Sequence, residues 1–461
     1  MWRGESSRGK VGLFAAISLA LASCMATPAG DTSSPTTASV GTPSTTAADA
    51  NTTAPSPAGN TAAPCDIPPG EPFREADGVD LTVIGEADGV VVKGAVYPHP
   101  DYEGRPWSQW GQGMVAGDGR YFSAIGDHQS VDGNSFIYEY DPATDRLALV
   151  GDILSYVDHV PGTWGYGKIH SQMVPGPCGE IYFSTYWGSY RDISFEGNYT
   201  GDILFRLDPF GQTLQPVDVL VEFHGSPSMA SAPDHSIIYA EAADPVFKDV
   251  DGDNRGPFIA YDITADEIVY QSSDEPHVGF RSILVDTAGV AYYSVGDSRL
   301  ESFDPATGES AVHEARLPGD WLRAASVPGP DGSVYGVTRD PDRFFVMNPD
   351  GSIDSLGDAL GYTASVALSP DGSVFYYMPG AHGNSADWRS PLMAVDTATG
   401  TQTVVVELDE MVEEGLGHTV GGTYNAAVSS DGKTVFLGTN VGEAGSDESF
   451  GEVTLLVVEL P

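Results

Sequence analysis

Basic residues are scarce in this 461-residue chain: 21 Lys and Arg stand against 65 Asp and Glu, a formal net charge of −44. So acidic a surface repels phosphate backbones and anionic headgroups, which excludes nucleic acid as a partner. Any anionic ligand would need a local basic pocket. Cysteine is nearly absent, limited to Cys24, Cys65 and Cys178, so a disulfide-dense scaffold is excluded. The apolar run Val11–Ala22 is too short to span a bilayer. Helical periodicity is confined to a short segment near Val404–Gly415, which excludes an α-helical domain. GxSxG, Walker, HExxH and CxxC patterns are missing, and the chemistries that depend on them go with them.

What is present is a turn-rich, strand-rich chain with 55 Gly, 33 Pro, 41% hydrophobic and 10% aromatic residues, ample for a large core. One syntax recurs, exemplified by SQMVPGPCGEIYFSTY, RAASVPGPDGSVYGVT and ASVALSPDGSVFYYM: strand, glycine turn, strand. A third strand follows each, as in DILFRLDPFG or LMAVDTATG, and then a fourth, as in TQTVVVEL. Recurrence at roughly 40–50 residues is the mark of a β-propeller, and the inner strands number seven. The expected fold is all-β, a seven-bladed β-propeller. Its last blade, from Asn425, ends after three strands, so an N-terminal strand must close it. DLTVIGE, Asp80–Glu86, is the expected closing strand.

Arg3, Arg8 and Lys10 precede the short apolar run, which ends in Leu21-Ala22-Ser23-Cys24. This resembles the lipobox of bacterial lipoprotein signal peptides. The resemblance implies cleavage before Cys24, acylation of its thiol, and export to the extracytoplasmic face of a bacterial membrane. Residues 1–23 are then the signal peptide, 24–64 a Thr/Ala/Ser/Pro-rich disordered tether, and 65–461 the propeller. Two cysteines remain in an oxidising compartment, and Cys65–Cys178 is the expected disulfide.

In such a propeller the inner strands begin on one face, the entry face, to which the second-to-third-strand loops also return. Plain Asp-Gly turns fall on the opposite, exit face. The entry face collects the unusual residues: Trp110, His128, His170, Tyr186, Trp187, His224, Arg281, Arg323, His418 and Asn425. Blade architecture and residue type resemble the seven-bladed polysaccharide lyases, including oligogalacturonate lyases. The resemblance implies β-elimination on an acidic polysaccharide. His128 or His170 would serve as base, Tyr186 as acid or base, and Arg281 and Arg323 as carboxylate clamps. His170→Ala is then expected to abolish activity and leave the fold intact.

The chain is also similar in architecture to YVTN and SMP-30-like propellers, including the calcium-dependent lactonases. Asn425 suits their axial site, but the glutamate they carry at the start of the first blade is missing. Imidazoles of His170, His224 and His418 form an alternative site for a divalent metal such as Ca2+, Mn2+ or Zn2+. Asp249, Asp251 and Asp253 alternate as in calcium loops. The non-catalytic alternative is a monomeric glycan- or protein-binding platform, with Trp107, Trp110, Trp164, Tyr166, Trp187 and Trp388 as candidate stacking surfaces and Asn425 as a polar contact. WD dipeptides, kelch double glycines and the tryptophan motifs of quinoprotein propellers are absent.

Overall fold

Strands that must bury both faces read as continuous apolar runs, and the second strand of each repeat does so. Tyr121–Gly126 is buried at every position. Tyr121 and Ile125 pack to one side, Phe122 and Ala124 to the other. Side chains alternate across a strand, so each blade feeds two cores. The computed structural model describes residues 70–74, 78–186, 188, 199–243, 256–272, 282–381, 390–446 and 450–461. Those residues all lie in the compact unit Pro64–Pro461.

The strands form seven antiparallel sheets, the blades of a β-propeller. Blade 1 pairs Met114–Val115, Tyr121–Gly126, Ser135–Asp141 and Arg146–Asp152 in chain order. Blades 2 to 6 repeat the pattern from inner strands Val174–Pro175, Gly225–Ser231, Leu284–Val285, Trp321–Ala325 and Ala367–Leu368. Seven apolar clusters lie one between each neighbouring pair of blades. That between blades 7 and 1 sets Phe436 and Leu455 against Tyr121 and Tyr138.

Blade 7 combines His418–Val428, Thr434–Glu443 and Glu452–Glu459 with Val90–Val96 and, outermost, Thr82–Ala87. An N-terminal strand closes the ring, as expected, but it is VVVKGAV rather than DLTVIGE. Val92 is fully buried, whereas Thr82–Ala87 is largely exposed and serves as a fifth, edge strand. Upstream, Val79–Asp80 adds to the edge of blade 1 and Glu71–Pro72 to that of blade 2. The segment from Glu71 to Val96 thus straps three successive blades before it closes the ring.

At the axis, polar side chains join blade to blade. Asn425 of blade 7 accepts from the Gly113 N–H at 3.0 Å and donates to the Tyr121 hydroxyl. Asn440 holds the Gln109 backbone at both ends, at 2.8 and 3.0 Å. Gln112 Nε2 donates to the Ala426 carbonyl at 2.8 Å. Gln172 Oε1 accepts from the Met229 N–H at 3.1 Å, joining blades 2 and 3. The turns beyond are capped by aspartates. Asp371 accepts from Ser369 Oγ at 2.6 Å and the Ser373 N–H at 3.1 Å, and Gly372 (φ 74°) supplies the left-handed residue. Helical character near Val404–Gly415 resolves into two elements. Gln402–Glu407 is the outer strand of blade 6, and Asp409–Leu416 is a helix packed through Val412. No helix among the described residues is long and apolar enough to cross a membrane.

Asn425→Ala removes two buried hydrogen bonds at the closure and strands the Gly113 N–H. The expected cost is about 1–3 kcal/mol, read as a lower urea midpoint at unchanged slope. An unchanged midpoint would assign closure to the apolar cores alone.

Candidate functional site

The entry face is organised by one buried carboxylate. Asp127, 1% exposed, accepts from the Tyr102 hydroxyl at 2.6 Å and from the backbone N–H groups of Arg105, Gln129 and Ser130. These bonds fix the loop that carries His128 inward, where its ring lies 4.7 Å from that of Trp107 and 5.6 Å from that of Trp110. His128 is 5% exposed. Burial pushes its imidazole well below the usual range, and the Lys168 ammonium adds to the effect.

Lys168 and His170 lie two apart in the extended approach to the inner strand of blade 2, so they point the same way. The Lys168 ammonium sits 4.1 Å above the Trp110 ring and 5.9 Å from that of Tyr186, and only 4% of the residue is exposed. The His170 ring meets Tyr186 edge-on at 5.2 Å, and its Nδ1 bonds to the Pro227 carbonyl of blade 3 at 2.9 Å. On the other side Trp110 packs at 5.0 Å on Tyr424 and stacks at 5.6 Å on Phe450. The buried Arg323 guanidinium lies 5.9 Å from Tyr424 and 4.9 Å from Tyr362, and exposed Arg339 covers Tyr362 at 5.0 Å. A continuous cation–aromatic network therefore runs across the entry face through blades 1, 2, 5, 6 and 7.

The structure brings Trp110, His128, His170, Tyr186 and Arg323 into this network. Tyr186 is 1% exposed and His170 7%, and His170 bridges two blades through its Nδ1. With that bond lost, His170→Ala is expected to lower stability as well as to alter the entry face. Asn425 is fully buried in the ring closure, with its amide engaged at both ends. Among the stacking candidates, Trp164 (4% exposed) and Tyr166 (8%) pack in the core between blades 1 and 2, and Trp107 is half-buried.

His224 and His418 bond through Nδ1 to the carbonyls of Glu222 (2.8 Å) and Gly442 (3.1 Å). No group of three or more His, Cys, Asp or Glu converges as a metal site would among the described residues. Cys178 is disulfide-bonded, and its partner lies outside the described residues. So do Cys24, Cys65, Trp187, Arg281, Trp388, Asp249, Asp251 and Asp253. The sequence reading missed Lys168, Tyr362, Tyr424 and Phe450. The alternation Lys168-Ile-His170 was the available signal for the first.

No family model and no curated protein matches the chain. Among solved structures it is similar to the RRP9 WD40 repeats, at TM-score 0.50 and 11% identity, over 82% of this chain and all of that one. That likeness shows the fold alone: the chain is a seven-bladed β-propeller. Similarity to U3-55K (TM-score 0.49, 10% identity, 82% of this chain and 98% of that one) is too distant to extend this. The same holds for Kuenenia stuttgartiensis hydrazine synthase (0.45, 15%, 78% and 99%).

A depressed His128 pKa has a definite sign. The folded state keeps the ring neutral, while the unfolded chain protonates it near the ordinary 6.5. The stabilisation is present above that value and lost as pH falls below it. Urea midpoints should therefore decline between about pH 7.5 and about pH 5, and His128→Gln should flatten the decline. A His128 ring that titrates normally by NMR would contradict the placement.

Proposed function

We propose that this chain is a non-catalytic binding platform whose entry face takes a glycan bearing carboxylates. The observation that carries this reading is the engagement of the expected acid–base groups in packing. His128 is buried and held neutral, His170 bridges blades 2 and 3, and Tyr186 is enclosed. A general base must reach the proton it abstracts, and none of the three offers an open ring or hydroxyl to a polymer. What the face does offer is half-buried Trp107, Tyr362 and Phe450 together with the exposed Arg339 guanidinium. Aromatic faces stack on sugar rings, and a guanidinium pairs in bidentate fashion with a carboxylate.

Buried Lys168 and Arg323 lie beneath them, on a face that also buries the Asp127 and Asp202 carboxylates, so the cation it presents outward is Arg339. The lipobox-like Leu21–Cys24 and the tether that follows support an exported platform held at a bacterial surface through the Cys24 lipid.

Calorimetric titration with a polygalacturonate and a neutral glucan tests the proposal. The uronate polymer should bind and the glucan should not. Trp107→Ala with Tyr362→Ala should weaken binding about tenfold or more. Accumulation of an unsaturated uronate product, followed by its ultraviolet absorbance, would replace this reading with the lyase one. Unchanged affinity in the double variant would move the ligand off this face.

A further inference from the structure

At the opposite end of the axis the channel widens into a cavity of about 620 Å³, within the range of small-molecule sites. Every inner strand contributes to its wall, and Met114, Met173, Met229, Ile283, Val366 and Val428 represent six of the blades. Among the described residues that line it none is Asp, Glu, Lys or Arg, in a chain where charged residues make up 19%. Val327 at the rim is 73% exposed. At the inner end Gln112 uses its amide nitrogen on the Ala426 carbonyl, and its amide oxygen remains available as an acceptor.

The rim has the opposite character. The first turn of six blades carries an aspartate: Asp118, Asp234, Asp286, Asp331, Asp371 and Asp431. Arg120 pairs with Asp118 at 2.7 Å, and Lys433 stands two residues from Asp431. The other four belong to consecutive blades 3 to 6. Asp234 lies between the lining residues Pro233 and His235, and Asp286 between Val285 and Thr287. Bonds from Ser236 hold the Asp234 carboxyl below its ordinary range, and bonds from Ser369 and Ser373 bring Asp371 to about 2, so both are ionised at neutral pH.

We propose that the exit end of the channel is a binding site for a small cationic amphiphile, its apolar tail inside the channel and its ammonium head at the arc of aspartates on blades 3 to 6. An anionic head would meet repulsion there, and a neutral one would gain only the burial of its tail. This site is independent of the entry face.

Titration calorimetry with octyltrimethylammonium, 1-octanol and octyl sulfate, all below micelle formation and at low salt, separates tail from head. The ammonium should saturate one site per chain about tenfold more tightly than octanol, and the sulfate should bind more weakly still. Added salt should narrow the gap, and the ammonium should raise the urea midpoint. Asp234→Asn with Asp286→Asn keeps the turn caps and should remove the preference while octanol still binds. Ala325→Phe should weaken all three ligands. Failure of both octanol and the ammonium to saturate a site overturns the channel site. A preference that survives in the double Asn variant overturns the role of the aspartates. A lowered urea midpoint with the ammonium would show denaturation and overturn the proposal as well.

Discussion

Each blade of this protein is apolar on both faces, and a two-faced sheet is stable only when it is covered twice. The whole architecture depends on that constraint. Tyr121 and Phe122, adjacent in one strand, enter different cores, and the same division repeats around the ring in seven clusters. No blade can be left at an end, because its outer face would expose a full cluster to water. The ring must therefore close, and closure falls to the junction of blades 7 and 1. There the N-terminal strand Val90–Val96 pairs with Glu452–Glu459, while Asn425 and Asn440 hold the first inner segment by side-chain hydrogen bonds. The strap from Glu71 to Ala87 covers edges that blades 1, 2 and 7 would otherwise present.

That constraint also explains why polarity near the axis is a poor guide to chemistry. Inner strands converge there, and their side chains must satisfy backbone groups of the neighbouring blade. Gln112, Gln172, His170 and Asn425 all do so. A buried polar group without such a partner would cost about 1–3 kcal/mol, so residues of this kind are expected wherever blades meet tightly.

The fold was legible because its signal is redundant. Seven repeats of strand, tight turn and strand agree with one another, six of them turning on glycine and the third on His235 (φ 60°), and a misplaced boundary in one leaves the period intact. The closing strand was legible only in kind. DLTVIGE and VVVKGAV are both short, β-rich and adjacent in the chain, and only pairing with Glu452–Glu459 distinguishes fourth strand from fifth. Of the candidate residues, the shared face was legible and their packing was not. The entry rule placed Trp110, His170 and Arg323 on one face, and they do converge. Whether an imidazole faces solvent or a carbonyl of the next blade depends on the approach of segments some 57 residues apart, which no local pattern encodes. Lys168 was missed because a lone lysine in an acidic chain reads as a solvated charge, whereas here an indole and a phenol enclose it.

Charge is partitioned along the axis rather than spread evenly. Cations meet aromatic faces at the entry, the described wall of the exit cavity carries no charged residue, and aspartates crowd the exit turns. Each zone has a local cause. Aspartate caps these tight turns by accepting backbone N–H bonds, so the exit rim becomes acidic as a by-product of six of the seven hairpins. Channel-facing residues are mostly apolar, and the long polar ones among them, Gln112 and Gln172, bond to the backbone of other blades. The entry cations lie against aromatic faces, Lys168 over Trp110 and Arg323 beside Tyr362 and Tyr424. An exposed guanidinium over a half-buried ring, as Arg339 lies over Tyr362, is the feature that most favours a ligand at that end. The acidic rim, explained by its turns, argues for none by itself, and it acquires meaning only through the uncharged cavity it surrounds.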